Sequence, residues 1–340
     1  MKKDNEDRIA ANGQKRPTLK TIAYMTGLGV ATVSKALNDA SDIGAETKER
    51  VRLVAKQIGY RPNRAGVRLR TGKTNVISLV MAIEHEVLGM SPHLVIGISE
   101  VLASTPYHLI VTPYSLDSDP LAAVKYVVES GSADGLILSR IEPKDARVRY
   151  LMECNFPFAT HGQTDFKKEH PFVDFDNAAY GRLGVDVLND LGRKKLGLLG
   201  APMNLTYAQY MSQGFYAGIE EHDLIEVPVR NVTVDNSVQE IADAIAKLMA
   251  KDHRPDGLVC GSANAAIGAT AGIEAAGFVI GEDIDLVVKE GFDMIARFRP
   301  QIRVVREDFI NAGRGLAKAV LKSIEGAPVH EMQSLEVPKF

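Results

Sequence analysis

Two sets of residues in this chain have the types and spacing to do chemistry. The first is the run Gly29-Val-Ala-Thr-Val-Ser-Lys-Ala-Leu-Asn38. Val33 and Leu37 stand one helical turn apart, which puts them on a shared inward face and turns Val30, Ala31 and Lys35 outward. Small apolar groups and an ammonium are what can meet base edges in a major groove, while the short hydroxyls of Thr32 and Ser34 suit phosphate oxygens. Just upstream, Leu19, Ile22, Ala23 and Met25 repeat at helical spacing behind Thr18, a natural N-cap, and Gly27-Leu28-Gly29 breaks the pattern. Two helices joined by a glycine turn make a helix-turn-helix, although an amphipathic hairpin that never meets nucleic acid has the same pattern. A third helix, from about Glu46 to Ile58, supplies Val51, Val54, Ala55 and Ile58 to the same small core.

The second set is scattered along the chain and becomes a set only through the elements that carry it. Short apolar strands alternate with helix-length segments from Asn75 onward: Asn75–Met81, His108–Pro113, Gly135–Ser139, Phe156–Thr160, Lys195–Gly200, Gly257–Gly261, Ile284–Lys289 and Ile302–Arg306. This alternation predicts an α/β architecture with two doubly wound parallel-sheet subdomains, following the N-terminal three-helix unit. Ligands of open α/β sheets bind beyond the carboxyl ends of the strands, where Tyr114, His161, Ser262, Lys289, Glu290 and Glu307 fall. Each of these taken alone could equally cap a loop. The expected division is an arm over 1–16, a helix-turn-helix domain over 17–62, a linker over 63–74 and a ligand-binding and dimerisation domain over 75–340. Within the last, one subdomain takes about 75–175 plus 306–325 and the other 176–305.

Charge is divided along the same line. Residues 1–75 hold 16 Lys/Arg against 7 Asp/Glu, a net +9, and the remainder holds 24 against 36. A basic N-terminal part on an acidic body suggests that one end meets a polyanion. The first fifteen residues contain no apolar run and no stretch of eighteen uncharged apolar residues occurs, so a cytoplasmic protein with no membrane role is expected. Cys154 and Cys260 lie far apart outside any metal-binding spacing and are read as buried thiols, with no metal or other cofactor expected. Gly66-x5-Gly72-Lys73-Thr74 misses the phosphate-binding loop by one residue and precedes a strand, and no hydrolytic motif is present, so an enzyme is not expected.

Four runs together carry a specific likeness: Thr18-Leu-Lys-Thr-Ile-Ala, Gly29 to Asn38, Glu46-Thr-Lys-Glu-Arg-Val51 and Gly59-Tyr-Arg-Pro-Asn63. They resemble the lac repressor/galactose repressor family, and the likeness continues through Leu69-Arg-Thr-Gly-Lys-Thr74 and, more loosely, to about residue 325. The resemblance implies a homodimeric regulator bound to double-stranded, pseudo-palindromic operator DNA and controlled by a small carbohydrate-like effector. It implies base contacts from Val30, Ala31 and Lys35, phosphate contacts from Thr18, Thr32, Ser34, Asn38 and Thr47, and backbone contacts near the linker from Tyr60 and Asn63. Alternatives are a regulator with a non-sugar corepressor and a cytoplasmic sugar sensor that leaves DNA alone, the latter giving the basic segment no task. The family commonly has Ser at Gly29 and Gly44 and Arg at Lys35, so two helix caps are lost and a bidentate fork becomes a point charge.

Residues 63–70 are too few for a stable isolated helix, which needs ~12–15 residues, and Gly66 costs roughly 1 kcal/mol more relative to Ala. The resemblance implies that two copies fold together in the minor groove, Leu69 wedging between base pairs. Arg64, Arg68 and Arg70 would then neutralise phosphates, and Gly66 would let the backbone approach the groove floor. In the cleft, alignment to the family gives His161, Ser262, Glu290 and Glu307 positions often held by Asp, Asn, Asp and Gln, and puts Met211 where Arg is common. Glu290 and Glu307 suit vicinal hydroxyls, and Tyr114, Tyr207 and Phe309 suit the apolar face of a sugar.

Overall fold

The computed structural model describes residues 17–60, 72–82, 90–292 and 294–339. The chain divides into two compact units, Met1–Thr74 and Asn75–Phe340. In the first, helices Leu19–Thr26, Val30–Leu37 and Ala45–Gln57 enclose Ile22, Ala23, Val33, Ala36, Val51 and Ala55. Thr18 caps the first helix, its backbone N–H donating to Thr21 Oγ1 at 3.1 Å, and Gly27 ends it in the left-handed region at φ 69°. That conformation favours a residue without Cβ, which is why the turn falls there. Ala36 is fully buried where periodicity pointed to Leu37, which is only half-buried.

The second unit contains two parallel sheets. Its strands in chain order are β1 (Val76–Ala82), β2 (His108–Tyr114), β3 (Gly135–Leu138), β4 (Phe158–His161), β5 (Phe172–Phe175), β6 (Lys195–Leu199), β7 (Ile225–Glu226), β8 (Gly257–Cys260), β9 (Asp285–Glu290), β10 (Arg303–Arg306) and β11 (Gln333–Glu336). The first sheet runs β11-β5-β4-β3-β1-β2 and the second β10-β9-β8-β6-β7. Every residue of β1, β3, β8 and β9 is buried, as befits strands covered by helices on both faces. Helix Phe309–Glu325 returns to the first lobe, burying Leu316, Ala317 and Val320 with Ile77 and Ile137. β7 escaped the sequence reading because it has only two residues, and β5 (Phe-Val-Asp-Phe) and β11 (Gln-Ser-Leu-Glu) because polar residues interrupt their apolar runs.

Of the two thiols expected to be buried, one is not. Cys260 is buried, its thiol pushed up to about 12 by burial, but Cys154 is exposed because it terminates helix Ala146–Glu153 at the surface. Among the described residues no helix is long and apolar enough to cross a membrane and no cluster of ligating side chains could hold a metal.

Candidate functional sites

In the first unit, helix Val30–Leu37 buries Val33 and Ala36, which leaves Val30, Ala31, Lys35 and Asn38 exposed and Thr32 and Ser34 half-buried. Thr18 is exposed on the preceding helix cap, Thr47 half-buried in the first turn of the third helix and Tyr60 half-buried after it. Val30, Ala31 and Lys35, the three that periodicity turns outward, are therefore exposed, and so is Asn38. Their side chains are already engaged in part. Lys35 Nζ contacts Asp42 Oδ2 at 2.5 Å, and Asn38 Nδ2 donates to the Ser34 carbonyl at 2.6 Å. Asn63, Arg64, Gly66 and Leu69 lie outside the described residues, as does the arm over 1–16.

In the second unit a cavity of about 1170 Å3, counting its open mouth, lies at the carboxyl ends of the strands of both sheets. His161 ends β4, Lys289 and Glu290 end β9, Ser262 follows β8 and Glu307 follows β10, so strand ends deliver these five to one place. Tyr207 and Phe309, from the first turns of their helices, complete the predicted lining.

Two predicted residues do not reach the cavity. Tyr114 packs beside helix Ala146–Glu153, its hydroxyl 3.4 Å from an Arg147 guanidinium nitrogen. Met211 is wholly buried, because helices Asn177–Asp190 and Thr206–Glu221 approach so closely at Gly181 that a Cβ there would fall 2.1 Å from the Met211 carbonyl oxygen. Its side chain fills the core behind the cleft, with its terminal methyl under Gly261.

The lining residues also do different work from that expected of them. Ser262 Oγ caps helix Ala263–Ala275 by accepting from the Ala265 N–H at 3.1 Å. Glu290 is buried and accepts from the backbone N–H groups of Met294 and Ile295, neutralising the start of the short helix Met294–Phe298. Both side chains therefore have part of their hydrogen-bonding capacity committed to backbone N–H groups. Lys289 Nζ lies 2.7 Å from Glu307 Oε2, donates to Asn177 Oδ1 at 2.9 Å and sits over the Phe175 and Tyr207 rings at 5.1 and 5.5 Å. Burial alone would raise the Glu307 carboxyl, but Lys289 and His161 outweigh it and hold it below the usual carboxylate range. His161 Nε2 is 3.5 Å from Glu307 Oε1 and, buried, has no hydrogen-bond partner among the described residues.

Among the lining residues that the sequence did not single out, four make the polar contacts that shape the cleft: Arg140, Asp174, Asn177 and Asp235. Arg140, directly after β3, makes two bonds to Asp235 of the other lobe, at 2.9 and 2.6 Å, closing the cleft from side to side. Arg140 holds a left-handed φ of 55°, unusual for a residue with Cβ. Asp174, in β5, accepts from Gln163 Nε2 at 3.1 Å, and its burial pushes its carboxyl up. Asn177 is the buried acceptor for Lys289. Only Arg140, next to the predicted strand Gly135–Ser139, carried a strand-end signal; Asp174 and Asn177 depend on β5, whose apolar run Asp174 itself interrupts.

Among the described lining residues, two cations therefore stand against four carboxylates, Asp174, Asp235, Glu290 and Glu307. Both cations are spoken for. An anionic ligand would find no unpaired cation there, whereas hydroxyls can add to carboxylate lone pairs and to His161 without breaking a pair.

Comparison with known proteins bears on both sites. The family described as "Bacterial regulatory proteins, lacI family" matches residues 18–63, and "Periplasmic binding proteins and sugar binding domain of LacI family" matches 74–327. The HTH-type transcriptional regulator RafR of Escherichia coli is 30% identical over 330 residues, covering 95% of this chain and 96% of that protein. AglR of Rhizobium meliloti, another HTH-type transcriptional regulator, is 28% identical over 320 residues, 90% and 87% of the two chains. Among solved structures, the Lac repressor dimer bound to operator and the anti-inducer ONPF superposes with TM-score 0.82 at 21% identity, covering 96% of this chain and 97% of that one. A CelR–cellobiose complex gives TM-score 0.67 at 20% identity over 95% and 98%.

Proposed function

This chain belongs to the lacI family of bacterial regulatory proteins, and on that premise we propose that it is a cytoplasmic, homodimeric transcription regulator whose hold on a pseudo-palindromic operator is set by a neutral polyhydroxyl ligand, a mono- or oligosaccharide. Two reading helices related by a dimer axis match two half-sites one helical turn apart, which is why the operator is expected to be palindromic. Val30, Ala31 and Lys35 meet base edges, and Thr18, Thr32, Ser34, Asn38, Thr47 and Tyr60 fix register on the phosphates. Asn63, Arg64, Gly66 and Leu69 extend the contact along the minor groove.

The observation that carries the ligand class is the closure of both cleft cations, Arg140 on Asp235 and Lys289 on Glu307. A phosphate ester would have to break one of these pairs or sit unpaired beside four carboxylates. A sugar instead offers hydroxyls to carboxylates and His161 and an apolar face to Tyr207 and Phe309. Because Arg140 and Asp235 come from opposite lobes, a ligand that joins their bonds changes the preferred lobe closure, and a coupling of ~1–3 kcal/mol would change operator affinity about 5–150-fold.

Thermal unfolding with glucose, galactose, cellobiose and glucose 6-phosphate tests the ligand class. Stabilisation follows RT ln(1 + [L]/Kd), about 2.7 kcal/mol at a hundred times Kd. Neutral sugars stabilise the protein on this reading; stabilisation by the phosphate ester alone refutes it. The sign of the effect on duplex binding separates inducer from corepressor.

A further inference from the structure

We propose that Asp42 is a specificity-determining residue of the reading helix, holding the Lys35 ammonium toward base edges and away from phosphates. The inference rests on the DNA-reading function proposed above. Lys35 stands in the last turn of helix Val30–Leu37, and Asp42 in the loop that leads to helix Ala45–Gln57. Their Nζ and Oδ2 atoms are 2.5 Å apart, and both side chains are more than half exposed, at 56% and 55%. Seven residues separate them, so the loop has to fold back to make the pair.

A lysine on its own is a poor reader. Its ammonium is a point charge on a flexible stem with three equivalent donors, and on a duplex it follows the nearest phosphate. Asp42 changes this in two ways. It takes one of the three donors and so fixes the direction of the other two, the number that guanine O6 and N7 can accept. It also cancels much of the ammonium's charge at phosphate distance, while leaving short-range hydrogen bonds to a base available.

The same loop repeats the device. Asp39 pairs with Lys48 and Arg52, each at 3.0 Å, so two loop acids engage three of the six Lys/Arg in residues 17–60. The Asp42 carboxyl is lowered chiefly by its hydrogen bond from Lys35, so it stays ionised at neutral pH. By contrast, residues 61–74 contain five Lys/Arg and no acid. Sequence-blind attraction to phosphates is thereby assigned to that stretch, leaving Lys35 to discriminate.

The test uses the full-length chain with a palindromic duplex that the protein itself enriches from a random-sequence pool, and a scrambled duplex of equal length. Asp42→Asn is expected to raise affinity for the scrambled duplex and steepen its dependence of log K on log salt by about one unit, the signature of one more phosphate contact. Affinity for the enriched duplex rises less, so the ratio of the two falls roughly fivefold or more, the lower end of one base contact's discrimination. Asp42→Glu keeps the wild-type ratio, since a carboxylate is retained. In a Lys35→Ala background, Asp42→Asn leaves the ratio unmoved. Equal gains on both duplexes, an unchanged ratio, or an effect that persists without Lys35 would each overturn the proposal. If the wild-type chain enriches no sequence at all, the DNA-reading function itself fails, and the role of Asp42 falls with it.

Discussion

The reading helix and the cleft both depend on a lysine paired with a carboxylate, and the two pairs differ in almost everything else. Lys35 and Asp42 stand in water, whereas Lys289 and Glu307 have side chains only 9% and 3% exposed. An exposed pair contributes ~0–1 kcal/mol to stability and leaves its remaining donors in water. A buried pair has given up its hydration, so neither member can be released without a large cost. On the proposed function this gives a division of labour: the surface pair would share its lysine with a nucleic acid, while the buried pair would stay closed and present its remaining lone pairs to a neutral ligand.

The widest gap between the two should appear on truncation. Lys289→Ala leaves Glu307 buried without its cation and is expected to destabilise the two-lobed unit by about 3–5 kcal/mol, read as a lower denaturant midpoint. Replacing both members, Lys289→Met with Glu307→Gln, recovers most of that loss, because no unpaired charge remains. Single replacement Glu307→Gln also strands a buried charge, that of Lys289, but keeps an amide oxygen to accept from the ammonium, so it is expected to cost less than Lys289→Ala, about 1.5–3 kcal/mol. Its pH dependence has a definite sign. The folded Glu307 carboxyl lies below its ordinary value of 4.5, so its contribution is present above that value and is lost as pH falls through the folded value. Wild type and Glu307→Gln therefore differ most near neutrality and converge in acid, as urea titrations across pH would record. If the gap were flat with pH, the pair would not be ionic.

On the exposed side the effects fall on binding instead of folding. Lys35→Ala should cost roughly 1–3 kcal/mol on the enriched duplex, less on a scrambled one, and almost nothing in stability. Equal loss on both duplexes would make Lys35 a phosphate contact. The smallest effect is expected at the two uncapped helices. Gly29 and Gly44 both have extended φ and ψ, and a Cβ at either would meet nothing closer than Thr32 Oγ1 at 3.8 Å. Gly44→Ser should thus add a few tenths of a kcal/mol to the three-helix unit, seen as a slightly higher melting temperature.

The two regions also differ in how far the sequence discloses them. The helices of the reading unit are local objects, and the spacing of Ile22, Val33 and Val51 together with Gly27 is enough to place their faces within a residue or two. Strand ends of the α/β unit were legible for the same reason, which is how His161, Lys289, Glu290 and Glu307 came to be expected together. What each side chain does there was not legible, because partners such as Asn177, over a hundred residues from Lys289, are chosen by the sheet and not by the neighbouring sequence. Met211 illustrates the limit: alignment pointed it at the ligand, and the close crossing at Gly181 pointed it into the core. Asp174 belongs to a four-residue strand whose existence depends on pairing with β4 and β11.

The most direct test of a cleft that takes a neutral ligand and thereby governs DNA is to measure affinity for the enriched duplex while glucose, galactose, cellobiose and glucose 6-phosphate are titrated in turn. At least one neutral sugar is expected to shift that affinity about 5–150-fold, with the phosphate ester inert. A shift produced by the ester alone, or a neutral sugar that saturates and stabilises the protein while duplex affinity stays fixed, would contradict the account.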